Sequence, residues 1–314
     1  MLRRQDVGHR VVVRRIVGTR NNRPLYSDAL GELIEVSETD LTLATAKGPL
    51  RVPLDEIHRA KRVPPSRRPN ATDVVALELA SNETWPAPVQ DRLGGWLLRA
   101  ADGWSGRGNS ALPIGDPDRP LEAAIDAIER WYADRGLPAL VNTPLPLAAP
   151  VGAALDARGW GARPLTLVQT APLPAITSTV EVDLATSPSE GWLRIAGDRK
   201  GGLPGAARHI LTAVPQVRFA HVYGQPGELI AIGRGAVTAD RRWLGLSLIE
   251  VVPEARRRGL AQQIIGALSA WAATLGVSRA FLQVEERNTP AVTLYSRLGF
   301  ATHHAYLTRT PPPP

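Results

Sequence analysis

An α+β fold is predicted, with a small β-barrel at the amino-terminal end and a doubled α/β region behind it. Three observations predict it: short strand-like runs before residue 64, alternating strand and helix patterns after residue 71, and an internal repeat at an offset of 140 residues. The 314 residues leave room for more than one core, and 44% of them are hydrophobic.

The barrel is read over residues 1–64, with candidate strands at 10–17, 31–36, 41–45, 50–52 and 57–63. Turns carrying Asn21-Asn22, Glu38-Thr39-Asp40 and Lys47-Gly48-Pro49 separate them. Short strands at this spacing suggest a barrel of the Src homology 3 or Sm type. Residues 64–70, rich in proline and arginine, read as a linker.

Two similar halves follow, at 71–175 and 180–310. Trp131 answers Trp271, Gly136 answers Gly276, Gly159 answers Gly299, and Trp160 answers Phe300. In each half a helix ends at a glycine, an apolar strand comes next, and a second helix ends in Gly-aromatic. Residues 121–169 form this pattern in the first half, behind candidate strands at 95–100 and 109–114.

The most informative segment is Arg256-Arg257-Arg258-Gly259-Leu260-Ala261. An apolar run from Trp243 to Val252 precedes it, and Pro253 ends that run. Leu260, Ile264, Ile265, Leu268 and Trp271 then recur at helical spacing. A strand, a basic glycine turn and a helix make an anion site. The first helical amides lack acceptors, the helix dipole favours negative charge, and arginine forks suit phosphate oxygens. Further on come Asn288-Thr289-Pro290-Ala291, Leu294-Tyr295 and Leu298-Gly299-Phe300.

Together these segments resemble the GNAT superfamily of N-acetyltransferases. Its pyrophosphate loop reads Gln/Arg-x-x-Gly-x-Gly/Ala, and its last helix reads Asn-x-x-Ala-x-x-Leu-Tyr-x-x-x-Gly-Phe. The resemblance implies a mixed, splayed sheet flanked by helices, acetyl-CoA as cosubstrate and an amine as acceptor. It places the pantetheine arm on Ile249, Glu250 and Val251. The pyrophosphate falls on amides from Arg257 to Gln262, with Arg256, Arg258, Gly259, Leu260 and Ala261 shaping the turn. Asn288 is assigned to the pantetheine, with a helix-capping role as the alternative. Tyr295 is assigned as the acid that protonates the departing thiolate, with core packing as the alternative. The whole layout is also similar to an actinobacterial histone-acetyltransferase-like group with an amino-terminal Src-homology-3-like barrel. A tandem arrangement with one inactive half resembles mycothiol synthases as well.

The first half lacks the anion site. It offers Gly115-Asp116-Pro117-Asp118-Arg119-Pro120 where the second has arginines, and Ala148 and Leu155 where the second has Asn288 and Tyr295. The general base is the gap in the second half. Gly245, Ser247 and Gln283 occupy positions where relatives carry a titratable side chain, and none of these three can accept a proton near neutral pH. Simple alternation puts Glu250 on the opposite sheet face from Gly245, Ser247 and Ile249. A water chain ordered by Ser247 and Gln283 is therefore expected, and His303 and His304 are expected at an ordinary edge position.

Composition excludes other classes. There is no cysteine, and so no disulfide or thiolate site. No metal-ligand spacing, GxSxG elbow or Gly-Lys-Ser/Thr phosphate loop occurs. Neither a signal peptide nor a membrane span is read, which leads to an expected cytoplasmic location.

The net charge is +7, and residues 1–70, with 14 Lys+Arg against 8 Asp+Glu, hold most of it. Weak contact with nucleic acid through the barrel is one expectation. Tyr26 is the barrel's only aromatic residue, however, so no stacking platform is present. Two functions stay open. One is an enzyme acetylating a protein lysine or a small-molecule amine. The other is a non-catalytic acetyl-CoA-binding regulator acting through the barrel, motivated by the missing base.

Overall fold

The computed structural model describes residues 2–20, 23–45, 48–63, 69–176, 179–200, 202–224 and 227–312. The chain divides into two units, Met1–Arg68 and Pro69–Pro314. Most of the expected linker, residues 64–68, lies outside the described residues.

Strands β1 (Arg10–Arg20), β2 (Arg23–Val36), β3 (Asp40–Thr45), β4 (Gly48–Pro53) and β5 (Ile57–Arg62) make up the first unit. They pair antiparallel in the order β4-β3-β2-β1-β5, an open path with β4 and β5 at its ends. Val11, Val13, Leu33, Leu41, Leu43 and Val52 alternate inward to form its core. Strand β2 starts eight residues before the expected position. Its early part is largely exposed, Leu25, Tyr26 and Leu30 included, and its pairing shows in an ion pair across the ladder, Arg14 to Asp28 at 2.8 Å.

The second unit holds α1 (Ala71–Glu83), β6 (Val89–Leu93), β7 (Trp96–Ala100), α2 (Leu121–Ala133), β8 (Val141–Leu145), α3 (Ala149–Ala157), β9 (Gly161–Ala162) and β10 (Thr166–Pro172). It continues with β11 (Asp183–Ala185), α4 (Glu190–Lys200), α5 (Gly205–Thr212), β12 (Val217–Tyr223) and β13 (Leu229–Val237). Strand β14 (Trp243–Val251), α6 (Leu260–Thr274), β15 (Arg279–Glu285), α7 (Thr289–Arg297) and β16 (Ala301–Thr310) complete it.

Eight strands run in the order β11-β12-β13-β14-β15-β10-β16-β8, with β9 pairing onto β16 and β6-β7 as a separate hairpin. The β14–β15 pair is parallel, and the other named pairs are antiparallel. The two halves are consecutive in sequence yet share one sheet. Strand β10 of the first half sits between β15 and β16 of the second.

The repeat is visible in the helix ends. Gly136 at φ 63° and Gly276 at φ 84° close α2 and α6, and Gly159 at φ 74° and Gly299 at φ 86° close α3 and α7. Matching amides bond matching carbonyls: Leu137 to Tyr132 and Val277 to Ala272, then Trp160 to Leu155 and Phe300 to Tyr295. Left-handed glycine termini of this kind satisfy the last helical carbonyls.

Apolar layers cover both sheet faces. On one, α6 packs Leu260, Ile264, Ile265 and Leu268 against Ala231, Leu244, Leu246 and Leu282. On the other, α4 and α5 pack Trp192, Ala207 and Ile210 against Phe219 and Ile232. Arg234 crosses that second layer with only 1% of its surface exposed. Its guanidinium donates to the carbonyls of Leu211 (2.9 Å), Ile210 (3.2 Å) and Thr84 (3.0 Å), at the carboxyl ends of α5 and α1. Two helix termini, each carrying partial negative charge, stand in for a counterion. Burial pushes its pKa down to about 9, which leaves it charged at neutral pH.

Replacing Arg234 with leucine strands three buried carbonyls. We expect a loss of about 3 kcal/mol in unfolding free energy, since an orphaned buried polar group costs about 1–3 kcal/mol. Urea titration against the surface variant Arg241→Ala checks this, and equal midpoints would refute the clamp.

Candidate active site

The parallel ladder between β14 and β15 stops at the pair Leu246–Leu282, although β14 continues to Val251 and β15 to Glu285. A bulge opens the sheet there. On β13, Ile232 faces Glu250 and Arg234 faces Ser247, so Leu248 and Ile249 together oppose Gly233. Leu248 holds φ 52°, rare for a branched side chain. A Cβ on Gly233 would stand 2.4 Å from Ile264, so only glycine lets α6 approach the bulge this closely.

The bulge overturns the alternation expected from sequence. Ile232, Arg234 and Ala236 lie two apart on β13, so their partners Glu250, Ser247 and Gly245 share one face. Ile249 passes to the α6 side, where its Cδ1 lies 2.9 Å from where a Cβ on Gly233 would be. Glu250, half-buried, thus stands on the same side as Ser247.

Beyond β14 a short 3-10 turn, Pro253–Ala255, leads into the arginine segment. Arg257 at φ 62° and Gly259 at φ 77° are both left-handed, a sequence of conformations that gathers amides into a concave cradle. Gly259 is the amino-terminal cap of α6 and supplies no side-chain acceptor. The first turn closes with Gln263 N donating to Gly259 O at 3.2 Å, so the amides of Leu260, Ala261 and Gln262 have no intrahelical acceptor. Nothing lies within 4 Å of where a Cβ on Gly259 would stand. Arg256, Arg257 and Arg258 are exposed, and Arg256 Nε donates to Val251 O at 3.2 Å.

Asn288 caps α7, its Oδ1 accepting from Ala291 N at 3.4 Å, which is the alternative weighed from sequence. Tyr295 is half-buried on the α6 side, its ring 5.9 Å from Phe300.

Gln283 is held at both ends of its amide, donating to Ser81 Oγ at 2.9 Å and accepting from Tyr306 Oη at 3.0 Å. Ser247 Oγ is 3.5 Å from Arg234 Nη1. Protein groups thus hold both ends of the Gln283 amide, and Ser247 Oγ accepts a long contact from Arg234.

His303 and His304 do not occupy an edge, because β16 runs between β10 and β8. A register shift leaves His303 as the extra residue opposite β10. His304 Nε2 lies 2.7 Å from Glu78 Oε1, with both side chains almost wholly buried. Its Nδ1 lies 2.9 Å from His303 Nδ1. Sequence reading missed Glu78 because it lies on α1, 226 residues from its partner.

In the first half the segment opposite the arginine turn packs on the turn between β6 and β7. Gly95 N donates to Asp116 O at 2.6 Å, and a Cβ on Gly94 would meet that same carbonyl at 2.6 Å. On the first unit, Arg51 pairs with Asp40 at 2.6 Å, Arg62 pairs with Asp6, and Arg14 pairs with Asp28. These pairs cancel part of the positive surface expected there. Arg67 and Arg68 lie outside the described residues.

The family described as "Probable histone acetyltransferase Rv0428c C-terminal" matches residues 71–308. The probable histone acetyltransferase Rv0428c of Mycobacterium tuberculosis is 32% identical over 313 residues, covering 95% of this chain and 93% of that protein. A GCN5-related N-acetyltransferase from Kribbella flavida superposes with a TM-score of 0.59 at 14% identity, covering 77% of this chain and 96% of its own. A tandem GNAT protein from the clavulanic acid biosynthesis pathway gives 0.52 at 15% identity, covering 78% and 91%. These two structures share the fold. Among the described residues, no helix is long and apolar enough to cross a membrane.

Burial, with His304 adding to it, lowers the His303 pKa from 6.5 to about 4 against the opposing pull of Asp73 and Glu78. The unfolded chain then takes up a proton below about 6.5 that the folded chain refuses until about 4, so acid favours unfolding across that window. Unfolding free energy should fall between those limits, and less steeply for His303→Gln. Identical slopes would refute the assignment.

Proposed function

The chain belongs to this family of GNAT N-acetyltransferases, and from that premise we propose that it moves the acetyl group of acetyl-CoA to a primary amine, with Glu250 as the general base. The acceptor is a lysine on a histone-like or DNA-associated protein, or a small-molecule amine. The observation that carries the reading is the bulge at Leu248, which ends the ladder to β15 and turns Glu250 to the face of Ser247.

The residues fit acetyl-CoA. The left-handed cradle at Arg257 and Gly259 and the amides of Leu260, Ala261 and Gln262 suit a pyrophosphate, with Arg256 and Arg258 adding charge. The edge of β14 released from β15 offers the backbone of Ile249, Glu250 and Val251 to a pantetheine arm. Bound there, acetyl-CoA supplies an acyl group activated as a thioester. The Glu250 carboxylate takes a proton from the acceptor nitrogen as that nitrogen bonds to the acyl carbon. Tyr295 Oη gives a proton to the sulfur as the carbon–sulfur bond breaks. Asn288 organises the start of α7, which carries Tyr295. The regulator reading drew on the lack of a base, and Glu250 on this face removes that motive.

Release of CoA with a panel of amines tests the activity. Glu250→Gln should lower kcat on the order of 10²–10⁴-fold and abolish the acid limb of its pH profile, as loss of a placed proton acceptor does. Tyr295→Phe should lower kcat on a similar scale. An unchanged rate in either variant removes that residue from the mechanism. Gly259→Glu places a strained, negatively charged side chain at the cradle. Calorimetry should then find no acetyl-CoA binding, and wild-type affinity would mean the cradle is misassigned.

A further inference from the structure

Three arginines lie close together on the Ser247 face of the sheet, and two have their donors answered. Arg234 is answered by helix carbonyls, as described above. Arg99, 1% exposed, donates to Ser110 O at 2.9 Å and Ser110 Oγ at 3.0 Å. Arg107 differs. Among the described residues its guanidinium has no hydrogen-bond acceptor and no carboxylate within 4.0 Å. The nearby buried carboxylate, Glu78, is taken up by His304. Burial lowers the Arg107 pKa to about 10, and Arg99 adds to that cost while Tyr306 and Glu78 oppose it. Arg107 is only half-buried, so its unanswered donors stay open to a ligand that reaches this face, and an arginine fork suits a carboxylate.

The surroundings hold Arg107 in place. Arg107 lies 5.0 Å from the Trp85 ring and Arg234 lies 5.5 Å from it, while Trp104 stacks on Trp85 at 5.4 Å. Asn109 Oδ1 accepts from Ala101 N and Gly103 N, and its Nδ2 donates to Trp104 O and Ser105 O, so every valence of that amide is used. The same loop carries left-handed Asp102, Gly103 and Ser105, and backbone strain of this kind gathers at ligand sites. From Arg107 the path runs by Trp85 and Arg234 to Ser247, on the face that carries Glu250.

We propose that the acceptor amine also carries a carboxylate, and that Arg107 receives it in a two-pronged contact while the amine faces Glu250. The proposal rests on the acetyltransferase reading and narrows its acceptor to an amino-acid-like amine rather than a lysine within a peptide. A planar fork matches a carboxylate, and a charge-assisted two-pronged contact discriminates against an amine lacking one.

Calorimetry on the full chain saturated with CoA tests this. The probes are L-lysine and L-ornithine, their decarboxylated forms cadaverine and putrescine, and N-acetyl-lysine methylamide as a mimic of peptide lysine. The amino acids should bind about 10- to 100-fold more tightly than the amines without a carboxylate, the range for a hydrogen bond to a charged group. Arg107→Gln should bring that ratio towards one, and Arg107→Lys should restore part of it. A ratio near one in the wild type, including no binding by either amino acid, overturns the proposal. So does an undiminished ratio in Arg107→Gln. Failure of CoA itself to bind would count against the acetyltransferase reading instead. The same ratio measured on the ligand-free chain would then decide the role of Arg107 separately.

Discussion

One extra residue in β14 governs the geometry of the second unit. With Leu248 and Ile249 both set against Gly233, the strand can no longer stay in register with β15, and the parallel ladder ends at Leu246. The same insertion exchanges the faces of every residue that follows. A slip of one place moves a side chain from one face of a sheet to the other, and here it carries Glu250 across. Gly233 and the left-handed Leu248 are the local terms on which the distortion stands. The freed strand edge and the position of the titratable carboxylate follow from it, and the cradle at the start of α6 comes a few residues later.

Two buried arginines on that face have no carboxylate partner among the described residues. Arg234 is balanced by the carboxyl ends of α1 and α5, and Arg99 by neutral oxygens of Ser110. Both belong to the frame. Arg234 also ties α1, contributed by the first half, to a strand of the second. In the first half, the segment opposite the arginine turn is bonded to the turn between β6 and β7 through Gly95 N and Asp116 O.

The sequence made the α6 cradle legible because its determinants are local: a glycine, a basic run and an apolar strand in front. The repeat was legible for the same reason, since helix-ending glycines act within a turn of themselves. The capping role of Asn288 was also visible as an alternative. The bulge was not, because Leu248 and Ile249 read as ordinary strand residues and no glycine or proline marks the position on β14. Its cause lies across the ladder, in Gly233. Glu78 with His304 and Arg234 with Thr84 are 226 and 150 residues apart, beyond any periodic pattern. The start of β2 was hidden because it mixes exposed apolar residues, Leu25 and Tyr26, with polar ones and so shows no clean alternation.

The place of β10 has a consequence for how the chain is made. Its neighbours β15 and β16 lie more than a hundred residues further along, so during synthesis from the amino terminus this strand has neither partner until nearly the whole polypeptide has emerged. The later half, for its part, cannot close its own sheet without a strand translated earlier. Duplication here did not yield two portable modules. It yielded a molecule whose halves have become hostages to each other, and a gene fragment encoding either one would specify an interrupted sheet.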